Sequence, residues 1–285
     1  MKILIVIVAY NPTFAIVNNL LIPGYNSMVI DNSMAETPWL RDYCIANDIG
    51  YSANKANLGI ATALNIGAQY ALKQAYDWII TLDQDSKLTI NVVHQLIQLV
   101  NNYPDSTKLA IVSPKHSMQG LAPESYLANS WADYSETILT MTSGNLVNLA
   151  IWQQVGGFNE DLFIDAVDIE YYARVRKHGY KVIELNKVFL QHQLGDMYTK
   201  VFLGRTLNIM NHNHVRKYYQ IRNSLWLLEG DLLTAAEKAE IRHILVKYNF
   251  LGVILYEEDK VKKITFMLLG YFDYLREVFG KCPWK

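Results

Sequence analysis

Asp83 and Asp85 stand one residue apart in TLDQDSKL, residues 81–88, directly after the apolar run Trp78-Ile79-Ile80. Like charges this close repel unless a cation lies between them. Alternate residues of an extended segment point the same way, so both carboxylates can converge on one hard cation. Magnesium or manganese suits such oxygen ligands, keeping waters and sharing the phosphates of a substrate. Standing alone, the pattern is a weak signal that more often marks a solvated, Asp-rich turn.

Two further stretches carry polar groups of the right kind. SMVIDNS ends a short apolar run in Asp31-Asn32-Ser33. A nucleoside diphosphate needs a polar edge for its base and a counter-charge for its phosphates. Asp31 offers an acceptor for the imide N–H of a pyrimidine, and a metal at Asp83 and Asp85 offers the counter-charge. Turn chemistry or a helix cap would use the same three residues. NKANLGIATALNIGAQYA spaces Asn57, Gly59, Asn65 and Gly67 regularly. Gly59 would let backbone approach a ligand, although the stretch is neither a Walker loop nor a GxGxxG fingerprint, and an ordinary helix start also explains it.

A separate cluster lies in GGFNEDLFIDAVDIEYYARVRKHGYKV, residues 156–182, where Asp165, Asp168 and Glu170 stand beside Arg174 and Arg176. Spacing i, i+3 puts Asp165 and Asp168 on one helical face. Paired carboxylates beside a pocket suit general-base work on an alcohol. A solvated face with Asp–Arg pairs is the alternative.

The elements that must position these groups alternate. ILIVIVAY is continuous and β-branched, as in a strand covered on both faces. PTFAIVNNLLIPG has helical spacing and leads to the strand SMVIDNS, which makes a βαβ unit. A second helix over Ile60–Tyr76 leads to the strand DWIITLD. The spacing predicts a doubly wound α/β domain, in which ligands bind at the carboxyl ends of the strands. Tyr10-Asn11, Asp31-Asn32 and Asp83-Asp85 all fall at such ends. The first strand ends in Tyr10-Asn11-Pro12 rather than a glycine loop, which argues against a dehydrogenase. From about residue 214 the chain reads as helical and aromatic.

With 285 residues, 51% apolar and 19% charged, the chain can fill one large domain, or one domain plus a helical appendage. Its 26 basic and 27 acidic residues leave a net charge of −1, which gives no general footprint for nucleic acid. Cys44 and Cys282, far apart, suggest neither a disulfide framework nor a zinc site and fit a reducing cytosol. MKILIVIVAYNP reads as a buried strand and not a signal peptide, because its apolar run is short and Asn-Pro breaks it. No apolar run reaches the roughly 18 to 20 residues needed to span a bilayer.

Taken in order, VAYNP, VIDNS, NLGIATALNIG, TLDQDS, SGNLVN and GGFNEDLFIDAVDIEYYARVRKHGY resemble the family 2 glycosyltransferases of the GT-A fold. LFIDAVDIEYYARVRKHGY, QHQLGD and VRKYYQIRNSL resemble the bacterial rhamnosyltransferases among them. The resemblance covers almost the whole chain. It implies a GT-A α/β domain, Rossmann-like with a mostly parallel sheet, over residues 1–210, and a helical region over 211–285. It also implies inverting, metal-dependent transfer of L-rhamnose from dTDP-L-rhamnose to a cell-surface polysaccharide precursor of O-antigen or capsule type. The same chemistry with UDP-galactose or UDP-glucose is the alternative, and a non-catalytic nucleotide-sugar or glycan-binding module is a further one.

Position by position, the resemblance gives Asp31 to the base, Asp83 to the ribose or a metal water, and Asp85 to the metal. Tyr10, Asn11, Asn57 and Gly59 join the nucleotide-sugar site. Asp168 falls at the family's base. Val167 replaces the Glu that usually precedes it, so Asp165 stays in contention. His192 is expected near the metal or diphosphate. Arg216 and Lys217 are expected at phosphate, whereas His212 and His214 make a weak metal pair without a third ligand. Acceptors of such enzymes are commonly carried on polyprenyl diphosphate. The segment with Lys260, Lys262 and Lys263 before ITFMLLGYFDYLREVFG would then lie on an anionic membrane or pack on the catalytic domain. The expected place is the cytoplasm, with peripheral contact at the inner face of the cell membrane.

Overall fold

The computed structural model describes residues 1–118, 132–192, 197–202 and 205–284. Strand β1 (Ile3–Ala9) is buried along its whole length. It runs parallel to β2 (Asn26–Asp31) on one side and β4 (Trp78–Asp83) on the other. Strand β3 (Gly50–Ala53) joins β2, also in parallel. Continuous Ile, Leu and Val in β1 suit a strand with both faces covered. Beyond β4 the sheet turns mixed. Strand β8 (Leu146–Asn148) lies antiparallel between β4 and β6 (Leu109–Met118), and β6 runs parallel to β9 (Lys181–His192). Strands β5 (Ser86–Lys87) and β7 (Tyr134–Glu136) pair antiparallel with β9.

The described chain divides into two compact units, residues 1–158 with 171–193, and residues 159–170 with 194–285. The first holds the whole β1–β9 sheet, with helices α1 (Pro38–Ala46), α2 (Ile60–Lys73), α3 (Ile90–Asn102) and α4 (Leu149–Val155). Helix α2 rests so closely on β1 that a Cβ at Gly67 would run into the Val6 side chain. The helix expected between β1 and β2 is only a 3₁₀ turn, Phe14–Asn19. Asn19 is buried there and used elsewhere: its amide nitrogen donates to the Ser86 carbonyl, and its oxygen accepts the Leu88 N–H at 3.3 Å.

Helix α5 (Val167–Lys177) has its first turn in the second unit and its remainder in the first. The second unit also contains the antiparallel pair β10 (Met197–Phe202) and β11 (Arg205–Met210). It continues with α6 (His214–Glu229), α7 (Ala235–Ile244), a π-helical turn (Leu245–Leu251), α8 (Gly252–Leu255) and α9 (Lys260–Leu275). Thr234 and Glu237 form a capping box that starts α7. Helices α6 and α9 touch at Gly270, where a Cβ would strike the Tyr218 backbone. Among the described residues no helix is long and apolar enough to cross a membrane.

Candidate functional site

Chain direction in the parallel half of the sheet places the candidate residues together. The chain leaves β1 toward β2 and β3 on one side, then returns to add β4 on the other, so the carboxyl ends of β1 and β4 flank a topological switch point. Tyr10 and Asn11 follow β1, and Asp83 ends β4. Gln84, between the two aspartates, joins them: its Oε1 accepts the Tyr10 N–H at 2.8 Å and its Nε2 donates to the Tyr10 carbonyl at 3.2 Å. Asn11 adopts the left-handed conformation, φ 44°, and its N–H donates to the Ser33 hydroxyl at 2.8 Å.

Asp83 and Asp85 are held by a turn, not by an extended run. Asp83 is the last residue of β4, Gln84-Asp85 turn the chain, and Ser86 begins β5. Extended alternation therefore does not place the two carboxylates as the sequence spacing suggests. The turn rests on a buried floor: the Asp83 N–H donates to the Ser143 hydroxyl at 3.0 Å, which donates to the Ser86 hydroxyl at 2.6 Å. Asp83 is half-buried and Asp85 exposed. His192 pairs with Ser86 in the backbone ladder; its side chain and residues 193–196 of QHQLGD lie outside the described ones.

Asp31 is fully buried at the end of β2. One carboxylate oxygen accepts the Ser33 N–H at 3.1 Å; the other accepts the Thr37 N–H at 3.0 Å and the Tyr51 hydroxyl at 2.7 Å. Burial by itself would raise its pKa, but the bonds from Ser33, Tyr51 and Thr37 outweigh it and hold the carboxyl below its ordinary value. The same contact pushes the Tyr51 hydroxyl well up, burial being the larger cause. Asn32 is the second hub. Its oxygen accepts from Asn54 Nδ2 and the Leu58 N–H, both at 3.0 Å, and its Nδ2 donates to Asn57 Oδ1 at 3.2 Å and the Gly59 carbonyl at 3.1 Å. Gly59 has φ 87°, a conformation that glycine alone adopts cheaply, and it opens α2. Asn57 and Gly59 are thereby fixed beside Asp31-Asn32.

In the second unit, Asp165 and Asp168 belong to an unusual backbone. Phe163 sits at the centre of a γ-turn, φ 65° and ψ −64°, closed by the Ile164 N–H on the Leu162 carbonyl at 2.8 Å. That turn is of the strained type. Asp165 (φ 62°) and Ala166 (φ 66°) follow in the left-handed region, so three non-glycine residues are strained just before α5. Helix α6 holds this loop. Asn223 Nδ2 donates to the carbonyls of Leu162 and Ile164 at 2.8 Å and of Asp165 at 2.9 Å, and Arg222 donates to those of Asp161 and Leu162 at 3.2 Å. The Arg216 guanidinium reaches Asp165 at 3.2 Å.

Asp165 is thus committed to Arg216, while Asp168 lies half-buried in the first turn of α5. Lys217 is buried and donates to Glu257 at 2.8 Å and Asn249 at 3.1 Å, so the expected phosphate role does not fit it. His214 packs edge-on against Phe266, and burial together with Arg216 lowers His212 to about 4. Among the described residues no group of three or more His, Cys, Asp or Glu gathers as a metal site. A cavity of about 630 Å³ lies by Met1, Asp77 and Trp78, at the opposite ends of β1 and β4, and none of the candidate residues lines it.

Residues 28–136 match the family model described as Glycosyl transferase family 2. Those residues are thus similar to family 2 glycosyltransferase domains. Over 302 residues the chain is 26% identical to the dTDP-rhamnosyl transferase RfbF of Shigella flexneri, spanning 96% of each chain, and in that sense it is rhamnosyltransferase-like. Its fold is similar to that of S. aureus TarS 1–349 in complex with UDP-GlcNAc, with TM-score 0.60 and 15% identity over 98% of this chain and 82% of that one. GalNAc-T7 with UDP, GalNAc and Mn2+ gives TM-score 0.55 and 14% identity over 98% of this chain and 58% of that one. At such identities the likeness concerns the GT-A fold alone. The matched glycosyltransferase region contains Asp31, Asn57, Gly59, Asp83 and Asp85 and ends before the loop that carries Asp165.

Sequence reasoning passed over Gln84, Ser143, Tyr51 and Asn223. Gln84 was visible as the middle residue of the Asp-x-Asp pattern, and Asn223 as an Arg-Asn pair inside a helical segment. Neither partner set follows from spacing, because each is distant in the chain.

Proposed function

We propose that this family 2 glycosyltransferase moves L-rhamnose from dTDP-L-rhamnose to a hydroxyl of a cell-surface polysaccharide precursor, of O-antigen or capsule type, carried on polyprenyl diphosphate. What carries the reading is the similarity, over 96% of both chains, to a dTDP-rhamnosyl transferase. The carboxylates at the switch point agree with it. In this reading Tyr10, Asn11, Asp31, Asn57, Gly59, Asp83 and Arg216 form the donor site, and residues 1–210 form the catalytic domain. Residues 211–285 serve acceptor or membrane contact at the inner face of the cell membrane.

A divalent metal fits the residues present. Asp83 and Asp85 offer two hard oxygen ligands on a braced turn, which leaves coordination positions for water and a diphosphate, as magnesium or manganese requires. His192 is the third residue we assign to it. When bound, the metal offsets the negative charge that develops on the departing diphosphate. A pyrimidine imide N–H would have to reach the Asp31 oxygen that accepts the Ser33 N–H, since the other already takes Thr37 and Tyr51.

The protein's own chemistry is then one displacement. Asp168 takes the proton of the acceptor hydroxyl as that oxygen bonds to the anomeric carbon. The bond from that carbon to the diphosphate breaks on the opposite face, and the configuration inverts. Asp165 holds Arg216 and shapes the loop. Asp168→Asn keeps size and polarity but removes basicity, so transfer falls at least about a hundredfold with donor affinity little changed. If Asp165→Asn abolishes transfer and Asp168→Asn does not, the base is Asp165. If neither matters, this segment is not catalytic.

A further inference from the structure

Helix α9 is patterned inside out. The face it turns toward α6 carries Lys263, Phe266, Met267, Gly270 and Asp273, all buried. Its opposite face shows Val261 (81% exposed), Ile264, Leu268 (52%), Phe272 (47%) and Leu275 (57%). The buried charges are satisfied within the unit. Lys263 donates to Glu257 at 2.8 Å, Glu257 also accepts from Lys217 at 2.8 Å, and Asp273 accepts from the Tyr218 hydroxyl at 2.8 Å and the Trp284 indole at 2.9 Å. Burying charged groups while leaving a four-turn apolar stripe in water is the reverse of what an aqueous surface favours.

The segment before α9 repeats the pattern. Across the π-helical turn and α8, Val246 (57%), Phe250 (58%), Leu251, Ile254 and Leu255 are exposed. Charge follows the same two stretches. Residues 241–256 contain Arg242, His243 and Lys247, all exposed, and no acid; in residues 260–275 Lys260 and Lys262 are exposed and the one acid, Asp273, is buried. Exposed acids border the stretches without entering them: Glu240 before the first, Glu258 and Asp259 between the two, and Glu277 after the second. Exposed charge on these stretches is therefore of one sign, in a chain whose net charge is −1.

We infer that residues 241–256 and 260–275 form a docking surface for the anionic headgroups and outer acyl region of a lipid bilayer. The apolar side chains enter the headgroup boundary, and Arg242, Lys247, Lys260 and Lys262 meet lipid phosphate. Apolar insertion combined with basic residues is how interfacial helices bind. Lys263, which the sequence groups with its neighbours, is not part of the surface, being paired internally with Glu257 and Asn211. A second copy of this chain would also cover apolar side chains, but the exposed charges within the two stretches are all basic and favour an anionic surface over a face of their own sign. The inference rests on and deepens the membrane contact proposed for residues 211–285, and it is separable from the donor assignment: a failure of flotation leaves transfer from the donor untouched, and a failure in transfer assays leaves flotation untouched.

Flotation of the full chain with vesicles of phosphatidylcholine alone, and of phosphatidylcholine with phosphatidylglycerol, tests the inference. The protein is expected to float with the anionic vesicles and to partition far less into the neutral ones. Each lysine near an anionic surface contributes on the order of fivefold, so Lys260→Gln with Lys262→Gln lowers anionic partitioning roughly twentyfold. Leu268→Asp with Phe272→Asp, both at exposed positions, removes flotation while the urea midpoint stays within error of the wild type. Absence of flotation with anionic vesicles overturns the inference. So does a dimer in sedimentation that Leu268→Asp with Phe272→Asp turns monomeric while flotation is unchanged, since the stripe is then covered by a second copy.

Discussion

Replacing Asn223 by Ala removes the amide that holds the loop before α5. Asn223 Nδ2 has two hydrogens and three carbonyls within 2.9 Å, so two bonds are full and the third is shared. The site is buried, and each such bond contributes about 1 kcal/mol net, giving a loss of roughly 2–3 kcal/mol. The loop's own strain is of the same size, since Phe163 in its γ-turn and Asp165 and Ala166 in the left-handed region each cost about 1 kcal/mol. Without Asn223 the strained conformation loses its support, and the loop relaxes while the rest stays folded. Urea unfolding should report a loss of roughly 2–3 kcal/mol for Asn223→Ala. Asn223→Asp should lose more, because a carboxylate would face three carbonyl oxygens. Ala166→Gly should gain about 0.5–1 kcal/mol, because glycine adopts φ 66° without Cβ strain. On the catalytic reading, Asn223→Ala also lowers kcat more than it raises KM. A loss below about 0.5 kcal/mol for Asn223→Ala, or a marked destabilisation by Ala166→Gly, would show that the loop is not held in this way.

Two other predictions follow from the charges. Calorimetry with dTDP should show binding at least tenfold tighter with magnesium or manganese than with excess chelator, and Asp85→Ala should erase the difference; equal binding in both conditions removes the metal from this turn. His212 is held neutral by burial and by Arg216, Lys217 and Lys263, against the opposing pull of Asp165, with its pKa lowered from 6.5 to about 4. Above pH 6.5 both folded and unfolded states are neutral there. Between 6.5 and 4 the unfolded chain binds a proton that the folded one refuses, so stability falls as the pH drops, by about 3 kcal/mol at most, and levels off below 4. His212→Asn should flatten that part of the stability curve, and an unchanged slope would place the titration elsewhere.

Much of the architecture could be read from residue patterns. The runs ILIVIVA, SMVID and WIITLD became adjacent parallel strands because unbroken β-branched sequence has one economical home, a sheet covered on both sides. Gly59 was readable as a helix entry for the same local reason. Local patterns failed where the answer depended on distant partners. PTFAIVNNLLIPG has helical spacing but forms only a 3₁₀ turn, since Asn19 serves Ser86 and Leu88. Asp31 was readable as a carboxylate at a strand end, but not as one that Thr37 and Tyr51 would satisfy. Periodicity marked α9 as amphipathic without telling which face is buried, and buried Lys263 and Asp273 reversed the intuitive choice. Asp165 and Asp168 were legible as a pair of carboxylates. Their different surroundings, an ion pair with Arg216 for one and the first turn of α5 for the other, depend on a helix some fifty residues further on.

Donor hydrolysis measured across a panel of nucleotide sugars, with magnesium or manganese present, decides which sugar the enzyme transfers. Release of dTDP from dTDP-L-rhamnose is expected at a rate at least about tenfold above release of UDP from UDP-galactose or UDP-glucose, and that rate should depend on Asp168. Faster turnover of a UDP-hexose would contradict the donor assignment. Tight binding of dTDP-L-rhamnose with no turnover of any donor, in water or with a polyprenyl-diphosphate-linked glycan, would mean that the chain is a binder and not a transferase.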